Sequence, residues 1–420
     1  MQAEPGGVCQ MSVVDLSATP EAAPAGRSSA GIAGPIATVD VLDDLAAAAP
    51  AWRELAAHGA IATAFQRFEW IDAWQRNVGT PEGFRPLVVI GRDRAGAPAF
   101  LWPFVHRPGA LTVARFPGLA HSGLNIGLWR RDVAAALTAA DILALLRQAG
   151  RRHGIDLFRL ERQPPRWRGL DNPFARLPHR PTVDDVPSQT FPAEPPEEVF
   201  KAVVSRDMRG RLRTKERKLE KLAGYRYLRA TTVADADRVL DAFLAQKAAH
   251  FAAQGIPDVF AEPGVAAFLR ESCRVGLAEG RPGIELHAIE GGGEVIAVMG
   301  GVADDHRFSC MFNSYTTSEN GRWSPGLILI THIVRDCAAR GLAGFDLGPG
   351  AASYKGFFCR EPENLFDSEV AVSLRGRLAA PLLAGLAEAR RRAKQNERVR
   401  ALVHRLRRLV GGEAPAARPD

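Results

Sequence analysis

Apolar and polar positions run through the same order of elements twice along this chain. In the first half an apolar run Leu87–Gly91 meets a glycine-containing turn, Arg94-Ala95-Gly96, and runs Ala99–His106 and Ala110–Phe116 follow. A helical stretch, Asp132–Gly150, then leads to a strand-like segment Ile155–Glu161. In the second half Ile284–Glu290 meets Gly291-Gly292-Gly293, and Val295–Val302 and Arg307–Tyr315 are separated by an Asp304-Asp305 turn. A helix Gly326–Arg340 and a strand Ala343–Leu347 complete the second round. Alternating or continuous apolar runs bounded by Gly and Asp predict strands, and apolar spacing of three and four predicts helices. Each half therefore predicts a β-meander, a helix and a crossover strand, which together make a duplicated α/β domain with mixed sheets.

Composition agrees. The chain has 420 residues with 46% hydrophobic content, enough for two or three domains with buried cores. Ser17–Pro35 is almost entirely Ala, Gly, Pro and Ser and predicts a disordered leader over residues 1–38. The expected divisions are a first half over 39–185, a second half over 186–375 and a basic helix or tail over 376–420. The five cysteines (Cys9, Cys273, Cys310, Cys337, Cys359) form no CxxC pair, and the ten histidines show no HExxH spacing. Reduced thiols and the absence of a dedicated metal site are expected. No run approaches the length of a membrane span and no signal peptide is evident, so the expected location is the cytoplasm.

The net charge of +7 is concentrated in two places. One runs from Arg206 to Lys221 and includes Arg213. The other runs from Arg390 to Arg408, where Val399, Leu402, Val403, Leu406 and Leu409 fall at helical spacing. Such a basic amphipathic tail suits peripheral contact with an anionic membrane, and the alternative is a solvated helix face. Neither block interleaves aromatic residues, which weighs against nucleic acid.

Candidate chemistry clusters late in the chain. Ser324-Pro325-Gly326 predicts a hydroxyl N-cap, a proline at the first helical position and a glycine that lets a ligand approach the backbone. With Arg322 just upstream, and the amides of Gly326, Leu327 and Ile328 unpaired, the helix start suits a phosphate. An ordinary well-capped helix is the alternative. Cys337 lies on the apolar stripe of that helix with Leu327, Ile330 and Val334, which places it in the core. Beyond the helix, Phe345-Asp346-Leu347-Gly348-Pro349-Gly350 puts a carboxylate in an apolar strand, where burial demands a partner. Lys355, in Ser353-Tyr354-Lys355, is a candidate partner, and the alternative is a structural Asp–Lys or Asp–amide contact that fixes the loop.

These segments resemble a known family. F-D-L-G-x-G-x-x-x-Y-K (Phe345 to Lys355), S-P-G-L-x-L (Ser324 to Leu329) and Gln246-Lys247-x-x-His250-Phe251 look like the CelD-like acetyltransferases of bacterial polysaccharide synthesis. Those have the GNAT (Gcn5-related N-acetyltransferase) fold and are similar in plan to the FemABX aminoacyl transferases, with two such domains in tandem. The resemblance implies direct transfer from acetyl-CoA or another acyl-CoA, bound through Arg322, Ser324, Pro325, Gly326 and Leu327. Pro325 and Leu327 depart from the small residues of the family's pyrophosphate loop. It also implies Asp346 or His250 as base, Tyr354 as acid for the leaving thiolate and Lys355 as a charge-stabilising group. Arg213, Lys247 and Tyr315 would bind the acceptor, a sugar amine or hydroxyl of a cell-envelope precursor.

The loop Gly118–Gly127 of the first half carries no cation at its cap, so that half is expected to have lost cofactor binding. Phe68, Trp70 and Trp74 read as a core-facing stripe, with cleft lining as the alternative. Two rival functions stand beside the acyltransferase: aminoacyl transfer from charged tRNA, and a non-catalytic scaffold of polysaccharide synthesis.

Overall fold

The computed structural model describes residues 34–350 and 352–395. Most of the expected leader, with Cys9, and the tail from Asn396 onward lie outside the described residues. Six strands of the first half lie on the main path of one sheet: β1 (Thr38–Leu42), β2 (Arg85–Arg92), β3 (Pro98–Arg107), β4 (Val113–Arg115), β5 (Leu157–Gln163) and β6 (His179–Pro181). Seven belong to the second: β7 (Val186–Thr190), β8 (Arg226–Arg229), β9 (Glu285–Gly291), β10 (Glu294–Ala303), β11 (Arg307–Tyr315), β12 (Gly344–Asp346) and β13 (Glu361–Glu363). The last strand is β14 (Phe366–Ala371).

These strands build two sheets of matching topology. The first follows β1-β2-β3-β4-β5-β14-β6 and the second β8-β9-β10-β11-β12-β7-β13. In each, three antiparallel pairings precede one parallel pairing, β4 with β5 and β11 with β12. Two further antiparallel pairings close the order. The mixed α/β duplication expected from the sequence is thus present, and one strand crosses between the halves. The first sheet takes its sixth strand, β14, from the end of the second half. The sixth strand of the second sheet, β7, opens the second half and follows directly on β6 of the first sheet. The two crossings are tied together by the Thr182 N–H donating to the Leu365 carbonyl at 2.9 Å.

The elements follow their sequence signals with local corrections. The single helix expected over Asp132–Gly150 is two, Arg131–Ala136 and Ala139–Arg152. Thr138 interrupts them because its hydroxyl caps the second helix in a reciprocal box with Asp141. Four helices matter below: α1 (Arg206–Leu219), α2 (Val233–Gln254), α3 (Pro325–Ala339) and α4 (Leu374–Gln395). Helix α3 buries Ile328, Leu329, Ile330, Ile333, Val334 and Cys337 between the second sheet and the helix Pro196–Val203. Each such side chain contributes about 1.5–3 kcal/mol.

The two halves share a core. Trp70 and Trp74 are fully buried, and the Trp70 ring meets Phe268 edge-on with centroids 5.3 Å apart. Gly264 allows the backbone of the second half to press against the Asn77 carbonyl, since a Cβ there would lie 1.8 Å from that oxygen. Asn77 Nδ2 donates to Glu271 at 2.6 Å across the same contact. The aromatic stripe of the first half therefore joins the halves rather than lining a cleft.

Candidate functional site

In the second sheet, β11 and β12 are paired over only three residues, the last being Ser309 with Asp346. Beyond that point β11 continues to Tyr315 against β10, while the chain after β12 turns away. The turn is enforced by Gly348, whose φ of +70° and close approach to the Cys310 carbonyl exclude a side chain. A Cβ there would sit 2.6 Å from that oxygen. The parallel pair consequently diverges at its C-terminal end, where α/β sheets place ligands. A bulge sits on the far side of β11. Gly300 faces Phe312 and Gly301 faces Cys310, leaving Met311 as the extra residue. Bulges re-aim strand groups beside sites, and both glycines are required, since a Cβ at Gly300 would fall inside the Phe312 ring contact at 2.2 Å.

Asp346 closes the base of the divergence. It is fully buried and accepts from Ser309 Oγ at 2.5 Å and from the Gly348 N–H at 3.0 Å. Burial pushes its carboxyl up to about 6, against the opposing pull of Arg307. Lys355 is not its partner, contrary to the sequence expectation. Lys355 Nζ instead donates to the carbonyls of Gly348 and Pro349 at 2.9 and 3.0 Å. The ammonium is thus bonded to the loop that turns away from the strand, and burial lowers its pKa. Two of its three N–H groups are thereby used and one is left. Tyr354, half-buried, accepts from Asn313 Nδ2 at 3.2 Å, and its own hydroxyl hydrogen remains to donate.

Helix α2 brings in the upstream candidates. Gln246 pins the helix to the sheet, accepting from Ser314 Oγ at 2.6 Å and donating to the Val295 carbonyl at 2.7 Å. The adjacent Lys247 is half-buried with a lowered pKa, owing first to burial. Lys247, Tyr354 and Lys355 all lie in the neighbourhood of the buried Cys310 thiol. That thiol is itself pushed up to about 12 by burial and stays protonated. His250 lies one turn beyond Lys247, solvent-exposed and bonded to Gln254 at 3.1 Å. Partial burial and then Lys247 lower its pKa.

The start of α3 differs from its sequence signature. Ser324 is left-handed (φ 56°, ψ 49°) and its hydroxyl does not cap the helix. Its carbonyl accepts from the amides of Leu327 and Ile328, so of the three amides expected to be unpaired only that of Gly326 has no partner among the described residues. The Ser324 hydroxyl accepts instead from Lys215 Nζ at 2.8 Å. The cation at this helix start is therefore Lys215, from α1. Arg322 points outward, over the Trp323 ring and near Glu319 at 3.5 Å. Arg213 is exposed and lies on the opposite side of α1 from Lys215, two residues and some 200° away. Tyr315 is exposed, its ring 3.9 Å from the position a Gly326 Cβ would take.

The first half treats the equivalent region differently. Past the Arg115–Arg159 pair, its own loop is tied to the strand end: the Asn125 N–H donates to the Arg162 carbonyl and Asn125 Nδ2 to that of Glu161, each at 3.0 Å, beside a cavity of about 250 Å³ lined by Arg115, Phe116, Leu119, Asn125, Glu161 and Arg162. Arg162 in turn donates to the carbonyls of Leu119 and Ser122 at 2.9 and 2.6 Å. The helix that follows has the Asp141 carboxylate over its own N-terminus, while α3 has no acidic residue in its first turn. A carboxylate thus opposes an anion at one helix start and none does at the other.

Ser309, Asn313 and the Gly300–Gly301 pair were not among the expected site residues, and Lys215 was expected only as one cation of the basic helix. Only the glycine pair carried a local signal, since paired glycines inside an apolar strand mark a bulge. Among the described residues no group of three or more His, Cys, Asp or Glu is placed to hold a metal ion.

Comparison with known proteins agrees with this layout. Residues 206–356, from α1 to just past Lys355, match the family model of the Acetyltransferase (GNAT) domain. The solved structure of FemX superposes with a TM-score of 0.54 at 8% identity, over 76% of this chain and 95% of FemX. A tandem GNAT protein from the clavulanic acid biosynthesis pathway gives 0.42 at 14% identity, over 80% and 99%. L-PGS from Bacillus licheniformis gives 0.41 at 13%, over 76% and 96%. FemX shares the fold, and the lower scores of the other two add nothing to it. No curated protein matches the chain in sequence. The chain carries a GNAT-type transferase domain in its second half, and its two sheets form the tandem plan expected from the internal repeat.

Proposed function

We propose that the second half transfers an acyl group directly from acetyl-CoA or a longer acyl-CoA to an amine or hydroxyl of a cell-envelope sugar precursor, as the CelD-like resemblance implies. The observation that supports this most is the contrast between the halves. Beside the β11–β12 divergence lies a helix start with an unpaired amide, no carboxylate in its first turn and Lys215 nearby, whereas the helix Ala139–Arg152 of the first half carries the Asp141 carboxylate at its start.

In this proposal the donor's phosphates lie at Gly326 and Lys215, and the acyl arm runs into the divergence above Cys310. His250 is the base. Its lowered pKa leaves it neutral at neutral pH, and it faces solvent, where an acceptor arrives. Asp346 has both oxygens engaged and serves by holding Ser309 and the Gly348 amide in place. Tyr354 donates its remaining proton to the leaving thiolate, and the third N–H of Lys355 stabilises charge on the acyl oxygen. Lys247 orients the acceptor.

The test is calorimetric titration with acetyl-CoA and longer acyl-CoAs. Gly326→Asp is the diagnostic variant, because the position is open and aspartate suits a helix first turn, yet it puts a carboxylate where the phosphate would lie. Saturable binding lost in the variant is expected; a wild-type protein that binds no acyl-CoA would sink the proposal. The remaining enzyme alternative, aminoacyl transfer from charged tRNA, draws on the exposed cations Arg211, Arg217 and Lys218 of α1 beside the same helix start. It predicts that tRNA protects α1 from modification.

A further inference from the structure

We propose that the outer face of α4 seats the protein on an anionic lipid surface, with a row of leucines entering the headgroup boundary and flanking arginines meeting lipid phosphates. Leu374, Leu378, Leu382 and Leu386 are 74%, 73%, 74% and 51% exposed. Spaced four apart, they cover a sector of about 120° on the helix, and Pro381 and Gly385 fill the gaps between them with further uncharged surface. A solvated helix shows the reverse pattern, with leucines inward.

The helix cannot roll to hide them. Its first turn is pressed onto the body of the protein at Gly376, where a Cβ would lie 1.8 Å from the Asp156 carbonyl oxygen. The Gly376 amide donates to Ser373 Oγ at 3.2 Å, and further along Ala387 is buried. The inner side is therefore fixed and the leucine side faces out.

Charge selects the occupant. Exposed Arg377 and Arg392 border the leucine row. From Leu374 to Arg408 the sequence carries ten arginines and one lysine against two glutamates. Two copies meeting through this face would bring those cations together, whereas an anionic bilayer neutralises them while it covers the leucines. No helix among the described residues is long and apolar enough to cross a membrane, so the contact is peripheral.

The experiment is co-sedimentation of the full chain with vesicles of phosphatidylcholine alone and of phosphatidylcholine mixed with phosphatidylglycerol. Binding to the mixed vesicles only is expected. Leu378→Ser with Leu382→Ser should weaken it roughly tenfold or more, from the apolar area lost. Arg377→Glu with Arg392→Glu should do the same, and both variants should keep the wild-type circular dichroism and melting temperature. Wild-type binding by the leucine variant would overturn the proposal in favour of the basic tail alone, and equal binding to neutral vesicles would remove the role of charge. A lipid-free dimer that the leucine substitutions dissociate would make the face a contact between copies instead.

Discussion

Lys215 Nζ donates to the Ser324 hydroxyl across 2.8 Å, joining two helices 109 residues apart in sequence at the point where α3 begins. The bond helps hold Ser324 in a left-handed conformation that costs a non-glycine residue about 1–2 kcal/mol. It also puts an ammonium beside the unpaired Gly326 amide. Lys215→Ala is therefore expected to weaken acyl-CoA binding about ten- to a hundredfold, the range for a hydrogen bond to a charged group. Arg322→Ala, whose side chain lies over Trp323 and is exposed, should change it by less than about threefold. Parallel titrations of the two variants decide the point, and the reverse ranking would return the role to Arg322.

Asp346 makes stability depend on pH in an unusual direction. Its folded pKa of about 6 lies above the ordinary 3.8, so between these values the folded state holds the proton more tightly than the unfolded chain. The carboxyl accordingly costs nothing below the lower value, and its penalty grows as pH rises to about 6 and persists above. Complete, it is on the order of 3 kcal/mol. Asp346→Asn should melt like the wild type near pH 4 and gain on it up to about pH 6. Thermal unfolding across that range checks this; a gap that does not vary with pH would exclude the titration as its cause.

Gly348 is the residue on which the divergence turns. Gly348→Ala combines a positive φ with a clash against the Cys310 carbonyl and should cost about 1–3 kcal/mol in denaturant unfolding. Gly356→Ala, with open space around the position and no positive φ, should stay within about 0.5 kcal/mol. Equal effects would mean that the loop after β12 adapts freely.

The proposed proton path separates into two measurements of CoA release. Tyr354→Phe removes the donated proton but loses only the Asn313 contact, so kcat should fall about a hundredfold with little change in melting temperature. His250 must be neutral to act, and its pKa is held below 6.5, so the wild-type rate should decline on acidification with a midpoint under that value. His250→Gln should abolish that acid limb. An unchanged limb in the variant would pass the base to another residue.

Much of this organisation was legible in the residues. The strands Arg85–Arg92, Pro98–Arg107 and Arg307–Tyr315 lie where apolar runs between glycine and aspartate turns placed them, because such runs bury both faces of a sheet. Cys337 is in the core, as its place on the α3 stripe required. Site chemistry was less legible. Ser324 has every local mark of an N-cap, yet it turns its hydroxyl to a lysine that local sequence does not bring near. Asp346 and Lys355 look like a pair at nine residues' distance, but Gly348 turns the chain between them, and each finds other partners.

The periodicity of each half, the duplication and the residue types that collect near the second crossover are written into the chain. Those properties depend on side chains within a few residues of one another and on the water they avoid. The tertiary structure set where loop 118–127 is anchored, which cation reaches the helix start and which strands complete each sheet. Each of those outcomes rests on contacts between segments tens to hundreds of residues apart. Loop 118–127 is anchored only because β5 offers its Glu161 and Arg162 carbonyls there, and β7 and β14 take their places only once both sheets have an edge to complete.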